Sequence, residues 1–199
     1  MPKDTVVYIH GFLSGAKAEK ALLTEKFLSQ NYPQADFVTE NFPNTPQEAY
    51  DAVDSLISRL VSEDRRVALI GSSMGGFYSI GMSWKYNLRA ALINPCVFPW
   101  KLMPALKGEH TNPYTGVKFE INDASIEAVK KLADLVKPVP ERLALYLERG
   151  DEVLNAAETA SYLGNAALVH IEDGGNHRFR SFELCLPEIV RFLLKNQPL

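Results

Sequence analysis

The chain has 199 residues, of which 46% are hydrophobic and 23% charged, with a formal net charge of −3 at pH 7. That length suits a single domain, residues 1–199, with a substantial core, and the composition excludes long disorder. The slight acidity gives no electrostatic footprint for nucleic acid, and two cysteines, Cys96 and Cys185, make no disulfide framework.

Residues 5–10, "TVVYIH", form a β-branched run that ends at Gly11 and predicts a buried strand. This run is too short for a signal-peptide core, and no later segment reaches transmembrane length, so the expectation is a soluble cytoplasmic protein with reduced thiols and no membrane partner. Residues 16–30 place Ala18, Leu22, Leu23, Phe27 and Leu28 at helical spacing, and a weaker strand follows at 36–39. "TPQE" opens a helix, with Thr45 as cap, Pro46 at the first position and Glu48 closing a capping box. Ala49, Val53, Leu56, Ile57 and Leu60 then continue one apolar face. Further strands are predicted at 66–71, 90–94, 143–148 and 167–171, and a closing helix at about 182–194, where Pro187 leaves the starting point open.

Continuous apolar strands alternating with helices specify an α/β fold, a mostly parallel sheet with helices on both faces. Sites in such sheets lie outside the carboxyl ends of the strands. Between about residues 95 and 140 the alternation breaks into a segment rich in proline, aromatic residues and glycine, with a helix at about 125–136. This insertion is expected to lie over the strand ends as a lid.

The stretch "LIGSSMGGFYSIG" runs from a predicted strand straight into a helix and contains G-x-S-x-G at residues 71–75. A nucleophile elbow needs that context, because the serine must project above the sheet from a strained turn. Ser73 is therefore the candidate nucleophile. A phosphate cradle would need a lysine or the dinucleotide glycine spacing, and neither is present. A serine needs a base, and the base needs an orienting acid, from later strand-end loops. His177 lies in "EDGGNHRF" after the last strand, and Asp151 in "RGDEVL" after the strand before it. Glu152 and Asp173 are weaker candidates for the acid. His110 falls in the insertion and His170 inside a strand. The backbone N–H groups of Met74 and Phe12 are the candidate oxyanion donors, with His10 shaping the loop that carries Phe12.

With "YIHGF", "GSSMGG", "NP" at 94–95, "NPYTG" at 112–116, "GDEVL" and "GGNHRF" in this order, the chain resembles the α/β-hydrolase superfamily, and most closely the small YqiA/YcfP-type esterases of bacteria. The resemblance runs nearly end to end. It implies Ser73 as nucleophile, His177 as base and Asp151 as acid in a compact hydrolase fold, with carboxylesters or acyl thioesters, including acyl-CoA, as substrates. No metal or organic cofactor is expected. Phe98, Trp100, Leu102, Met103 and Leu106 of the insertion are candidates for an apolar acyl pocket. The rival functions are a C–C hydrolase or acyltransferase using the same three residues, and a non-catalytic ligand sensor built on the fold.

Overall fold

A computed structural model describes residues 2–195. Met1 and residues 196–199, at the two ends of the expected domain, lie outside the described residues. Strand β1 (Asp4–Ile9) leads through helix α1 (Glu19–Asn31) to β2 (Asp36–Val38), and α2 (Pro46–Ser62) returns the chain to β3 (Arg66–Ser72). Then come α3 (Met74–Tyr86), β4 (Arg89–Ile93), a short α4 (Pro99–Leu102) and a single 3-10 turn (Met103–Leu106). A hairpin, β5 (Gly108–Thr111) and β6 (Lys118–Ile121), precedes α5 (Asp123–Leu135). The chain closes with β7 (Leu143–Glu148), α6 (Ala156–Leu163), β8 (Leu168–Glu172) and α7 (Phe182–Leu193).

Six parallel strands form the central sheet in the order β2-β1-β3-β4-β7-β8. Residues alternate between its faces, as strand geometry requires. Val7, Ile9, Leu69, Leu92 and Leu145 face a core shared with α2, α3 and α5. Val6, Tyr8, Ile70, Ile93 and Tyr146 face a second core completed by α1 and α7. The chain leaves β1 toward one edge of the sheet and re-enters at β3 on the other side, so the strand order reverses between them. Open α/β sheets bind ligands at such a crevice, and the register Ile9↔Gly71 brings the ends of both strands there together.

The predicted strands and helices are all present, with boundaries shifted by a few residues at most. Three local features differ from expectation. Thr45 makes no side-chain cap to a backbone amide; its hydroxyl donates to the Glu48 carboxylate instead. Pro187 sits inside α7, not at its start. The missing N–H costs a helix bond, of order 3 kcal/mol in an isolated helix interior, but burial of Leu186, Ile189, Val190 and Leu193 on one face carries the helix through. The third difference is the insertion. Helix α5, started by an Asn122–Ser125 capping box, buries Ile126, Val129 and Leu132 in the larger core, with Ile121 of β6 beside them. Much of the segment expected as a lid is thus part of the domain's own core, and the hairpin turn is what reaches the strand ends. Among the described residues no helix is long and apolar enough to cross a membrane.

Because Leu132 is 2% exposed, Leu132→Ala should lower the free energy of unfolding by about 2–5 kcal/mol, read by urea denaturation. A helix that merely rested over the site would leave the transition midpoint unchanged.

Candidate active site

Ser73 follows the last residue of β3 with φ 53° and ψ −120°, a conformation that non-glycine residues rarely hold. Three hydrogen bonds keep it there. The Ser73 N–H donates to the Ile93 carbonyl at 3.1 Å, and the Ser73 carbonyl accepts from the amides of Gly76 and Cys96, both at 2.9 Å. The turn also needs close approach of the neighbouring backbone, since a Cβ on Gly75 would lie 2.0 Å from the Ile9 carbonyl oxygen. Helix α3 is buried from Met74 to Ser83, so the serine stands on a rigid base.

His177 bridges Ser73 and Asp151. Its Nε2 lies 3.0 Å from Ser73 Oγ, and its Nδ1 lies 2.8 and 3.0 Å from the two carboxylate oxygens of Asp151. A carboxylate only accepts, so Nδ1 carries the proton and the Nε2 lone pair faces the serine hydroxyl. The Asp151 side chain is 2% exposed, and its Oδ1 also accepts from the amides of Val153 and Leu154. The other two acids do different work. Glu152 accepts the His177 backbone N–H at 2.9 Å, and this bond is the main reason its carboxyl lies below the usual range. Asp173 points to solvent and pairs with Arg149.

Two residues that sequence reasoning did not assign hold the histidine loop. Glu148, the buried last residue of β7, accepts from the amides of Asn176 at 2.6 Å and Ser181 at 2.9 Å. Burial alone would raise its pKa, but the amides of Asn176, Ser181 and Arg180 outweigh burial and hold the carboxyl low. Gly175 passes so close that a Cβ there would lie 2.0 Å from Glu148 Oε2, and its φ is +71°. Asn94, buried at the end of β4, donates to the carbonyls of Asn176 and His177 and accepts the Glu148 N–H at 3.0 Å. The only signal in the sequence was a polar residue closing each of two otherwise apolar strands.

On the opposite side of Ser73, a Cβ on Gly11 would lie 3.0 Å from Ser73 Cβ, so the loop after β1 lies directly against the serine. His10 shapes that loop as expected. The Phe42 N–H donates to His10 Nε2 at 3.1 Å, which leaves Nδ1 as the donor to the Gly11 carbonyl at 2.9 Å. Burial lowers the His10 pKa and supports this neutral form. In a trans peptide the N–H points opposite the C=O, so the grip on Gly11 turns the Phe12 amide away from His10. Among the described residues, the Phe12 and Met74 amides donate to no protein group.

A cavity of about 560 Å³ opens at Ser73 and His177, with Tyr8, Phe12, Leu13 and Tyr114 among its walls. The residues expected to form an acyl pocket lie elsewhere. Phe98 packs against Trp100 and Tyr162, with ring centroids 5.5 and 5.0 Å away, and faces a separate depression with Leu102 and Leu154. Met103 is buried behind the His10–Phe12 loop, beside Met74. Leu106 packs against the larger core. The chain turns α4 down onto α5 and the core, so these apolar side chains fasten the segment in place. Of the insertion, Pro113 and Tyr114 in the hairpin turn reach the cavity. For metal, His170, Glu172 and Cys185 bring ligand atoms within 4.8 Å of one another. However, His170 Nε2 already bonds Glu172 at 2.8 Å, and burial pushes the Cys185 thiol up to about 11. Hydrogen bonding within the protein accounts for that trio.

Glu148→Gln would place an amide N–H₂ against backbone donors and should cost about 1–3 kcal/mol of stability, measured by urea unfolding at neutral pH. A carboxyl held low in the folded state stabilises fully above its unfolded value of about 4.3, and the contribution is lost as pH falls through the folded value. The unfolding free energies of wild type and Glu148→Gln should therefore start to draw together only as pH falls below about 4.3.

Residues 5–194 match UPF0227, described as an uncharacterised protein family. The YcfP protein of Escherichia coli is 21% identical over 188 residues, which cover 94% of this chain and 97% of YcfP. Two solved structures share the fold. Mouse alpha/beta hydrolase domain-containing protein 10 superposes with TM-score 0.74 at 17% identity, over 96% of this chain and 90% of that one. A monoacylglycerol lipase from Paleococcus ferrophilus superposes with TM-score 0.67 at 15% identity, over 97% and 96%. The chain has the α/β-hydrolase fold and belongs to the UPF0227 family, the family of YcfP.

Proposed function

We propose that the protein is a serine hydrolase that cleaves carboxylesters or acyl thioesters through an acyl-enzyme on Ser73. The observation that carries this is His177 set between the Ser73 hydroxyl at 3.0 Å and the Asp151 carboxylate at 2.8 Å. As Ser73 Oγ attacks the substrate carbonyl carbon, His177 Nε2 takes the hydroxyl proton. Asp151 steadies the imidazolium through Nδ1–H and keeps the ring in the productive tautomer. The carbonyl oxygen, now carrying the negative charge, is met by the amides of Met74 and Phe12, which have no competing acceptor among the described residues. When the tetrahedral intermediate collapses, the bond to the alcohol or thiol breaks and His177 returns the proton to the leaving group. Water then attacks the acyl-enzyme by the same route and releases the acid.

The fold supports the reading because a relative in shape, the monoacylglycerol lipase, bears a hydrolase's name. The site residues supply the nucleophile, base, acid and oxyanion donors from this chain alone.

Treatment with a fluorophosphonate should add one adduct by intact-mass spectrometry, absent from Ser73→Ala. No adduct on wild type would overturn the hydrolase and favour a ligand sensor. Asp151→Asn should lower kcat on an activated ester by a factor on the order of ten thousand, because the imidazole would be held in the wrong tautomer. A loss under tenfold would remove Asp151 from the machinery.

A further inference from the structure

Lys20 and Arg178 line the cavity at Ser73 and His177, and neither has an ion-pair partner among the described residues. Some surface cations of this acidic protein are ion-paired, such as Lys85 with Asp54 and Lys107 with Asp123, and others are not; what sets Lys20 and Arg178 apart is that they line the same cavity. Lys20 is half-buried in the first turn of α1, the end of a helix where the macrodipole disfavours a cation. Burial weakens its hold on the proton; the Glu19 charge offsets part of this, the nearby Arg178 charge opposes it, and Glu148 helps least. Glu19 also lines the cavity but forms no ion pair with Lys20. Arg178 follows the candidate base directly, and its backbone N–H is fixed on Asn176 Oδ1 at 3.0 Å. Tyr8, Ser14 and Ser72 also line the cavity.

Even with Glu19 nearby, burial leaves Lys20 holding its proton less firmly than usual, and an anion bound between Lys20 and Arg178 would relieve both the cost of that burial and their mutual repulsion. We propose that this cavity recognises a carboxylate or phosphate group on the ester that Ser73 attacks, with Lys20 and Arg178 as its partners. The inference rests on the hydrolase function proposed above and narrows its substrates to anionic esters. Charge-assisted bonds to an anion are roughly twice as strong as neutral ones, and a guanidinium meets such groups with two parallel donors. A neutral ester gains neither.

The test compares kcat/KM within matched pairs. Para-nitrophenyl hemiglutarate against para-nitrophenyl hexanoate puts a carboxylate on the acyl side. Para-acetoxybenzoate against its methyl ester puts it on the alcohol side, and para-acetoxyphenyl phosphate against para-acetoxyanisole tests phosphate there. The quantity read is the anionic-to-neutral ratio in wild type, divided by the same ratio in Lys20→Met or Arg178→Met. Intrinsic ester reactivity and any general loss of activity cancel from it. In at least one pair this quotient should be about tenfold or more for each variant, while Lys20→Arg, which keeps the charge, should retain the preference. The pair that responds identifies the anion and its side of the scissile bond. A quotient near one in all three pairs overturns the anion site and leaves the hydrolase standing. If no ester turns over in wild type, the hydrolase fails, and calorimetric binding of the same intact esters to Ser73→Ala decides the site by itself. Binding of an anionic ester that weakens about tenfold on adding Lys20→Met supports it, and binding that ignores ester charge or Lys20 overturns it.

Discussion

The backbone of Ser73 is the constraint on which the site depends. Its left-handed conformation costs on the order of 1–3 kcal/mol and persists because three partners hold it at once. The Ile93 carbonyl takes its N–H, while Gly76 and Cys96 secure its carbonyl. Those partners come from β4, from the loop after β4 and from α3, so the elbow is as stable as the centre of the sheet. In return the hydroxyl stands clear of the strand, within reach of a histidine delivered from 104 residues further along the chain.

A second layer of hydrogen bonds makes that delivery dependable. Loops after parallel strands are free to vary, yet the loop carrying His177 is held by a buried carboxylate, a buried amide and a surface glutamate, from Glu148, Asn94 and Glu152. Glu148 and Asn94 are themselves joined through the Glu148 N–H, which locks the ends of β4 and β7 to the loop after β8. The imidazole is oriented by its support as well as by its own contacts, which the proton transfer proposed for it would require.

How much of this was legible in the amino-acid sequence follows from the range of each signal. The four central strands and the helices on both faces were readable because burial on two sides leaves continuous apolar runs, and amphipathic helices leave a 3.6-residue period. The edge strands β2 and β8, with no fully buried residue, were carried by short apolar runs alone. Ser73 was readable because an elbow needs small residues in consecutive positions. The order of Asp151 and His177 after successive strands followed from where parallel sheets place their loops. The β5–β6 hairpin was missed because "GEHT" and "KFEI" are short, with polar residues mixed through them. Glu148 and Asn94 were missed because a lone polar residue at a strand end says nothing about what it will meet. Phe98 and Trp100 were placed in a pocket because an apolar cluster in a loop can equally serve a ligand or the core. Only long-range packing decides between these, and it sets Phe98 between Trp100 and Tyr162.

The hairpin turn bears on how a ligand enters. Asn112 is buried there, and its side chain makes four hydrogen bonds: it donates to the Ser14 carbonyl and Asn44 Oδ1, and it accepts from the amides of Tyr114 and Thr115. One side-chain amide thereby rivets the hairpin to the loop after β1 and to the loop before α2. The turn that brings Pro113 and Tyr114 to the cavity is consequently tied down at its base. The half-exposed Tyr114 ring thus stands at the cavity on a turn pinned from two other loops, so one buried amide couples the shape of the cavity wall to segments about 70 and 100 residues earlier in the chain.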